Sequence, residues 1–295
     1  MTRMLAVLLA ALVAASPAAA DDRLVLEGAF TQGGLVRGRV PSGARVALDD
    51  KPVRVDRDGN FLLGFAREAP AENKVSVIFR DGTRHERALA ISPRTFDIQR
   101  IDGLPPRQVT PSPDDLERIA RERKAIVAAW SRDSDRPRWL GGFAWPAEGR
   151  ISGVYGSQRI LNGEPRRPHF GVDVAAPVGT PILAAADGVV SLAAHDMFFT
   201  GHTVILDHGL GLSTLYAHLD AIVVREGDEV ARGAPIGRLG GTGRVTGPHL
   251  HWGMNLGSLP LDPALVVPPM PARASGGATR ATGPAGTGST IPSSR

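Results

Sequence analysis

Period-two patterning dominates the first third of the chain. Leu35-Val36-Arg37-Gly38-Arg39-Val40 and Ala44-Arg45-Val46-Ala47-Leu48 show apolar/polar alternation, and Leu24-Val25-Leu26 and Val75-Ser76-Val77-Ile78-Phe79 are β-prone. Gly33-Gly34, Pro41-Ser42-Gly43, Asp58-Gly59-Asn60 and Asp81-Gly82 punctuate these runs as turns. Short strands at this spacing predict a small β-sandwich-like accessory domain over residues 21–95. The period then changes. Within a linker at 96–143, which carries Pro105-Pro106 and Pro111, Ser112-Pro113-Asp114-Asp115 has the signature of a helix start. It offers an N-cap hydroxyl, a proline at the first helical position and acids at the positive end of the dipole. A helix is expected over about 112–132, with Leu116, Ile119, Ile126, Val127 and Trp130 near one packing face.

Residues 144–267 read as a second, larger β-rich domain punctuated by glycine. Beyond it, 268–295 form an Ala/Gly/Ser/Thr/Pro-rich tail. Burial there cannot offset ordering entropy, so 271–295 are expected to be disordered. At the other end, Arg3, an apolar run from Met4 and the small residues Ala18-Ala19-Ala20 predict a signal peptide over 1–20. Its strongly apolar part, Leu5 to Ala15, is short for a spanning helix of about 20 residues. The expectation is cleavage after Ala20, no membrane span afterwards, and a periplasmic or secreted protein.

Composition refines this picture. Gly 35 and Pro 24 favour a turn-rich, mainly β chain. The absence of cysteine excludes disulfides and lipid attachment through an N-terminal cysteine. The formal charge of +4 is mildly basic, and no Lys/Arg-rich run interleaved with aromatics supports nucleic-acid binding.

The chemistry lies in the histidines. In Pro168-His169-Phe170-Gly171-Val172-Asp173-Val174, an extended chain sends His169, Gly171 and Asp173 one way and the apolar residues the other. That pair suits a divalent metal, and equally a His–Asp hydrogen bond on a strand surface. In Gly247-Pro248-His249-Leu250-His251-Trp252, His249 and His251 share a face opposite Leu250 and Trp252. Leu215-Tyr216-Ala217-His218-Leu219 ends an alternating apolar strand, where a lone histidine is usually structural. His202 and His208 flank a strand and are expected at the surface.

Taken together, H-x-x-x-D, Y-A-H and H-x-H in this order resemble the M23 family of zinc metallopeptidases, the lysostaphin and LytM-type enzymes. Gly171-Val172-Asp173-Val174-Ala175-Ala176-Pro177, Ala186-Asp187-Gly188-Val189-Val190 and Gly240-Gly241-Thr242-Gly243 also fit that pattern. The resemblance covers roughly residues 145–267. It implies a LytM-type peptidase domain with a barrel-sandwich-like antiparallel sheet, and one Zn2+ per chain on His169, Asp173 and His251. It also implies His218 and His249 as catalytic residues and Arg159 as an orienter of a substrate carboxylate. Spacing alone does not tell which of His249 and His251 holds the metal. The activity implied is exported, zinc-dependent hydrolysis of peptide cross-links in cell-wall peptidoglycan, most often D-Ala–diaminopimelate bonds in Gram-negative members. Peptidoglycan peptides, and wall-biogenesis proteins, are the partners to expect. Two rival readings exist. A non-catalytic LytM-type activator of other wall hydrolases typically lacks a ligand, and none is missing here. A lipoyl- or biotinyl-type carrier resembles Gly227-Asp228-Glu229-Val230 but needs a modified lysine, and no lysine follows Lys124.

Overall fold

The structure is a computed structural model. It describes residues 22–101, 112–132 and 134–271, and only the backbone of Gln99, Ile101, Arg159 and Leu161. The expected signal peptide, the stretch with Pro105-Pro106 and Pro111, and the tail from residue 272 lie outside the described residues.

The first strands are β1 (Val25–Gly28), β2 (Leu35–Arg39), β3 (Arg45–Leu48), β4 (Lys51–Val53), β5 (Asn60–Gly64), β6 (Glu72–Ile78) and β7 (Arg84–Ala90). They pair into two antiparallel sheets, β1-β2-β5 and β4-β3-β6-β7. Alternation turns Val36, Phe61 and Leu63 of one sheet towards Val46, Val75, Val77 and Leu89 of the other, in one buried cluster. Two sheets that share an apolar layer form a sandwich.

Next come β8 (Ile98–Ile101) and the helix α1 (Pro113–Trp130). Ser112 caps α1: its hydroxyl accepts the Asp115 N–H, and the Asp115 carboxylate accepts the Ser112 N–H. Ala125, Ile126, Ala129 and Trp130 pack on Leu192, Ile205, Leu215 and Ala217. The buried stripe is narrower than the sequence suggests, because Leu116 (51%) and Val127 (45%) remain exposed. Only one edge of the helix rests on the sheet.

The remaining strands are β9 (Arg150–Gly153), β10 (Gln158–Leu161), β11 (Glu164–Pro165), β12 (Val172–Ala175), β13 (Pro181–Leu183), β14 (Gly188–Met197), β15 (Gly201–Gly209), β16 (Leu212–Ile222), β17 (Glu229–Val230), β18 (Pro235–Leu239), β19 (Leu250–Leu256) and β20 (Leu259–Leu261). Most join one antiparallel sheet in the order β17-β14-β15-β16-β19-β12-β9, with β18 bridging β16 and β13, and β20 beside β19. Its core includes Val172, Val174, Tyr216, Leu219, Leu250 and Trp252. The chain is thus mainly β and antiparallel, with a barrel-like second sheet.

The sandwich and the large sheet are not separate bodies on a string. Leu35 and Leu62 share a buried cluster with Trp139, Leu210, Leu212, Met254 and Leu261. β8, inside the stretch expected as linker, pairs in parallel with β10. At the far end, Trp145 Nε1–H donates to the Pro268 carbonyl at 2.7 Å, and Met270 packs on the core. The first residues of the expected tail therefore belong to the folded unit.

His208 departs from its expected surface position. β15 runs on to Gly209, so this side chain enters the interior and is fully buried. Its Nδ1 lies 2.7 Å from the Asp187 carbonyl and its Nε2 2.7 Å from Thr214 Oγ1. A carbonyl only accepts, so Nδ1 carries the proton and Nε2 takes the Thr214 hydroxyl hydrogen.

Candidate metal centre

Strand register assembles the site. β12 and β19 are antiparallel neighbours, with Asp173 directly opposite His251. Val172, Val174, Leu250 and Trp252 face the core, so the period of two turns Asp173 and His251 to the other face. β16 flanks β19 on its second side, with Ala217 opposite His251, which brings His218 alongside. His169 is not part of a strand, contrary to the extended reading: β12 begins only at Val172. Pro168 and Gly171 interrupt the ladder, and His169 swings back over Asp173.

Three atoms converge. His169 Nε2 lies 3.0 Å from Asp173 Oδ1 and 2.9 Å from His251 Nδ1, and His251 Nδ1 lies 2.9 Å from the same carboxylate oxygen. His169 Nδ1 stands 3.0 Å from the Val154 carbonyl, so it carries the ring proton and leaves the Nε2 lone pair facing inward. The Asp173 carboxylate, the inward-facing lone pair of His169 and the Nδ1 of His251, crowded together, call for a shared proton or a cation. Among the described residues, this is the group of three or more such side chains that can hold a metal. The donor set fits zinc: tetrahedral bonds of about 2.0–2.1 Å place donors roughly 3.3 Å apart, slightly wider than this triangle.

The surroundings are built for it. A Cβ on Gly153 would stand 2.3 Å from Asp173 Oδ2, and one on Gly171 would stand 2.6 Å from His251 Cε1. Burial raises the Asp173 carboxyl, but the adjoining His169 and His251 imidazoles outweigh it and hold the group well below the usual carboxylate range. Burial lowers His251, against the pull of Asp173.

Two further imidazoles border the triangle. The His218 and His249 rings are 4.8 Å apart, and His249 Nε2 is 3.9 Å from Asp173 Oδ1. His218 Nδ1 meets the Thr242 carbonyl at 2.9 Å, and His249 Nδ1 meets the Gly247 carbonyl at 2.8 Å, so each keeps its Nε2 lone pair. Burial pushes His218 down to about 4, opposed by the Thr242 carbonyl. His218 also sits at φ +64°, in the left-handed region that a non-glycine residue enters only when its surroundings enforce it. Its own N–H, bound to the Thr200 carbonyl at 2.8 Å, helps to hold it there. Thr242, the carbonyl partner, is pinned in turn: its hydroxyl donates to Leu219 O at 2.7 Å and accepts the His202 N–H at 2.9 Å.

The sequence brought five of these side chains to notice, but not the backbone carbonyls of Val154, Thr242 and Gly247 that set their tautomers. Gly153 and the Gly240-Gly241-Thr242-Gly243 run were the available hints. Arg159 lies on β10, opposite Gln99 of β8, and its side chain is outside the described residues.

A family model described as Peptidase family M23 matches residues 167–263, the span that holds all five site side chains. A crystal structure from Pseudomonas aeruginosa assigned to peptidase M23 superposes with a TM-score of 0.62 at 32% identity, covering 80% of this chain and 94% of that one. The chain belongs to peptidase family M23. Within the family, the DD-carboxypeptidase/endopeptidase Mpg of Neisseria meningitidis is 42% identical over 122 residues, 41% of this chain and 28% of that protein. The peptidoglycan DD-endopeptidase ShyA of Vibrio cholerae is 40% identical over 114 residues, 38% of this chain and 26% of that protein. The match thus spans about a quarter of the length of these curated relatives. In this M23 chain the sandwich and α1 lie outside the family-model match, whereas 80% of the chain superposes on the Pseudomonas structure.

Proposed function

We propose that this chain is an exported zinc-dependent endopeptidase that hydrolyses peptide cross-links of peptidoglycan, with the D-Ala–diaminopimelate bond as its target. One observation carries the reading: three converging donors, His169 Nε2, Asp173 Oδ1 and His251 Nδ1, with two more oriented imidazoles beside them. The similarity to the DD-carboxypeptidase/endopeptidase of Neisseria and the DD-endopeptidase of Vibrio supports the DD-peptide substrate. The apolar run from Met4 to Ala20 supports export to the periplasm or medium.

His169, Asp173 and His251 would hold the metal, three protein donors being the count of a catalytic zinc site. Zinc bound there supplies Lewis acidity, acidifying water and polarising the scissile carbonyl. His218, neutral near pH 7, offers Nε2 to take the proton of the attacking water. His249 offers a second Nε2 at the rim, to stabilise the developing oxyanion in its protonated form or to pass a proton to the leaving amine. One C–N bond breaks, one C–O bond forms, and the proton removed from water ends on the amine. Arg159 is proposed to contact a substrate carboxylate.

Incubation of the purified, zinc-loaded protein with a cross-linked muropeptide dimer tests this. Mass analysis should find two monomers, each heavier by its share of one water, and the products should vanish with a chelator. Cut glycan strands, a freed lactyl-amide junction or an uncut dimer would refute it.

A further inference from the structure

We infer that the N-terminal sandwich helps to build the metal centre, with Arg67 as a positioning residue for His169. The inference rests on the metal reading above.

His169 owes its placement to one turn. The Gly156 N–H donates to the His169 carbonyl at 2.8 Å, and the His169 N–H donates to the Ser157 carbonyl at 2.8 Å. The third tie is the ring proton on Nδ1, given to the Val154 carbonyl. The turn at Val154–Ser157 therefore sets both the position of the imidazole and its tautomer. Partners of this kind orient a ligand and raise its basicity, and losing one typically weakens metal binding about 10–100-fold.

The other side of that turn is gripped from the sandwich half of the chain. Arg67 Nε–H donates to the Gly156 carbonyl at 2.8 Å. Its guanidinium lies 4.3 Å from the centroid of the Phe96 ring, its Nη1 pairs with Glu68 at 2.6 Å, and its side chain is only 11% exposed. A charged donor fixed by stacking and by an ion pair has little freedom to relax elsewhere. Phe96 fills the space against Gly156, where a Cβ would stand 2.1 Å from the ring, at a φ of +85°. Two residues on, the Gln158 N–H donates to the Asp97 carbonyl at 2.9 Å. Gly156 is thus held between His169 on one side and Arg67 with Phe96 on the other. Mere stapling of two sheets does not require a buried guanidinium aimed at this carbonyl, since the Leu35–Leu62 cluster already joins them.

The experiment uses the full chain. Arg67→Met keeps an apolar stem and removes the donor. Zinc affinity is measured by competition with a chromophoric chelator, and ligand geometry by the visible absorption of the cobalt(II)-substituted protein. Arg67→Met is expected to bind zinc about tenfold or more weakly, with altered cobalt bands. Leu62→Ala, which loosens the same junction away from the turn, is expected to bind zinc like the wild type. Wild-type affinity and bands in Arg67→Met would overturn the inference, as would equal weakening in Leu62→Ala. Should Arg67→Met not fold, Arg67→Lys carries the test with the same outcomes, because it keeps the charge but lacks the planar Nε–H. A wild-type chain that takes up no zinc refutes the metal reading and this inference together. Muropeptide turnover is not read, so an error in the proposed substrate shows itself separately.

Discussion

At Asp173 a single carboxylate oxygen meets two imidazole nitrogens within 3.0 Å. Removing that charge, or His251, leaves too few donors, so Asp173→Ala and His251→Ala are expected to lose both zinc and turnover. His218 stands outside the triangle. His218→Ala is expected to keep near-stoichiometric zinc by elemental analysis while turnover of a cross-linked muropeptide drops about 100-fold or more. Loss of zinc, or wild-type turnover, would refute the role given to His218. Gly153 makes a finer test. Its missing Cβ leaves room for the Asp173 carboxylate, so Gly153→Ala should weaken zinc binding by chelator competition with little change in secondary structure by circular dichroism. Unchanged affinity would mean that the carboxylate can shift at no cost.

Among the elements, β15 and β16 carry a buried polar thread. His208 gives its Nδ1 proton to the Asp187 carbonyl, and Thr214 Oγ1 lies 2.7 Å from His208 Nε2 and 3.0 Å from Tyr216 OH. Since the Thr214 hydrogen serves His208, the Tyr216 hydroxyl donates to Thr214 and accepts the Ala185 N–H at 2.9 Å. Burial pushes His208 down to about 4 from an ordinary 6.5. The folded state resists the proton that the unfolded state accepts, so the stabilisation is complete above pH 6.5 and is lost as the pH falls through 4. At about 1.4 kcal/mol per pH unit, the loss amounts to roughly 3 kcal/mol. His208→Gln should flatten the denaturation-midpoint profile between pH 6.5 and 4, and an equally steep profile would clear His208 of this part. Alternation alone gave no sign of the thread, because it depends on how far β15 continues before it turns.

For the molecule as a whole, the cluster that joins Leu35 and Leu62 to Leu210, Leu212, Met254 and Leu261 couples the sandwich to the peptidase sheet. Leu62→Ala is expected to cost about 2–5 kcal/mol and to lower a single, shared melting transition by calorimetry. Two transitions, only one of them displaced, would show that the halves unfold independently. Much of the site is legible in the sequence, because its signals are local. Asp173 between Val172 and Val174, and His251 between Leu250 and Trp252, already mark which side chains leave the core side of β12 and β19. The boundary of β12 was not legible, since Pro168 and Gly171 break the ladder without revealing where His169 then points. Local patterning along the chain was enough for the mainly β class, the period that separates core from site, and the residue types suited to a metal. It took the folded arrangement to place Asp173 opposite His251 with His249 at the rim, to bury His208, and to bring Arg67 to the turn beneath His169. Periodicity is a property of neighbours along the chain, whereas register and docking follow from how distant segments bury their apolar faces together.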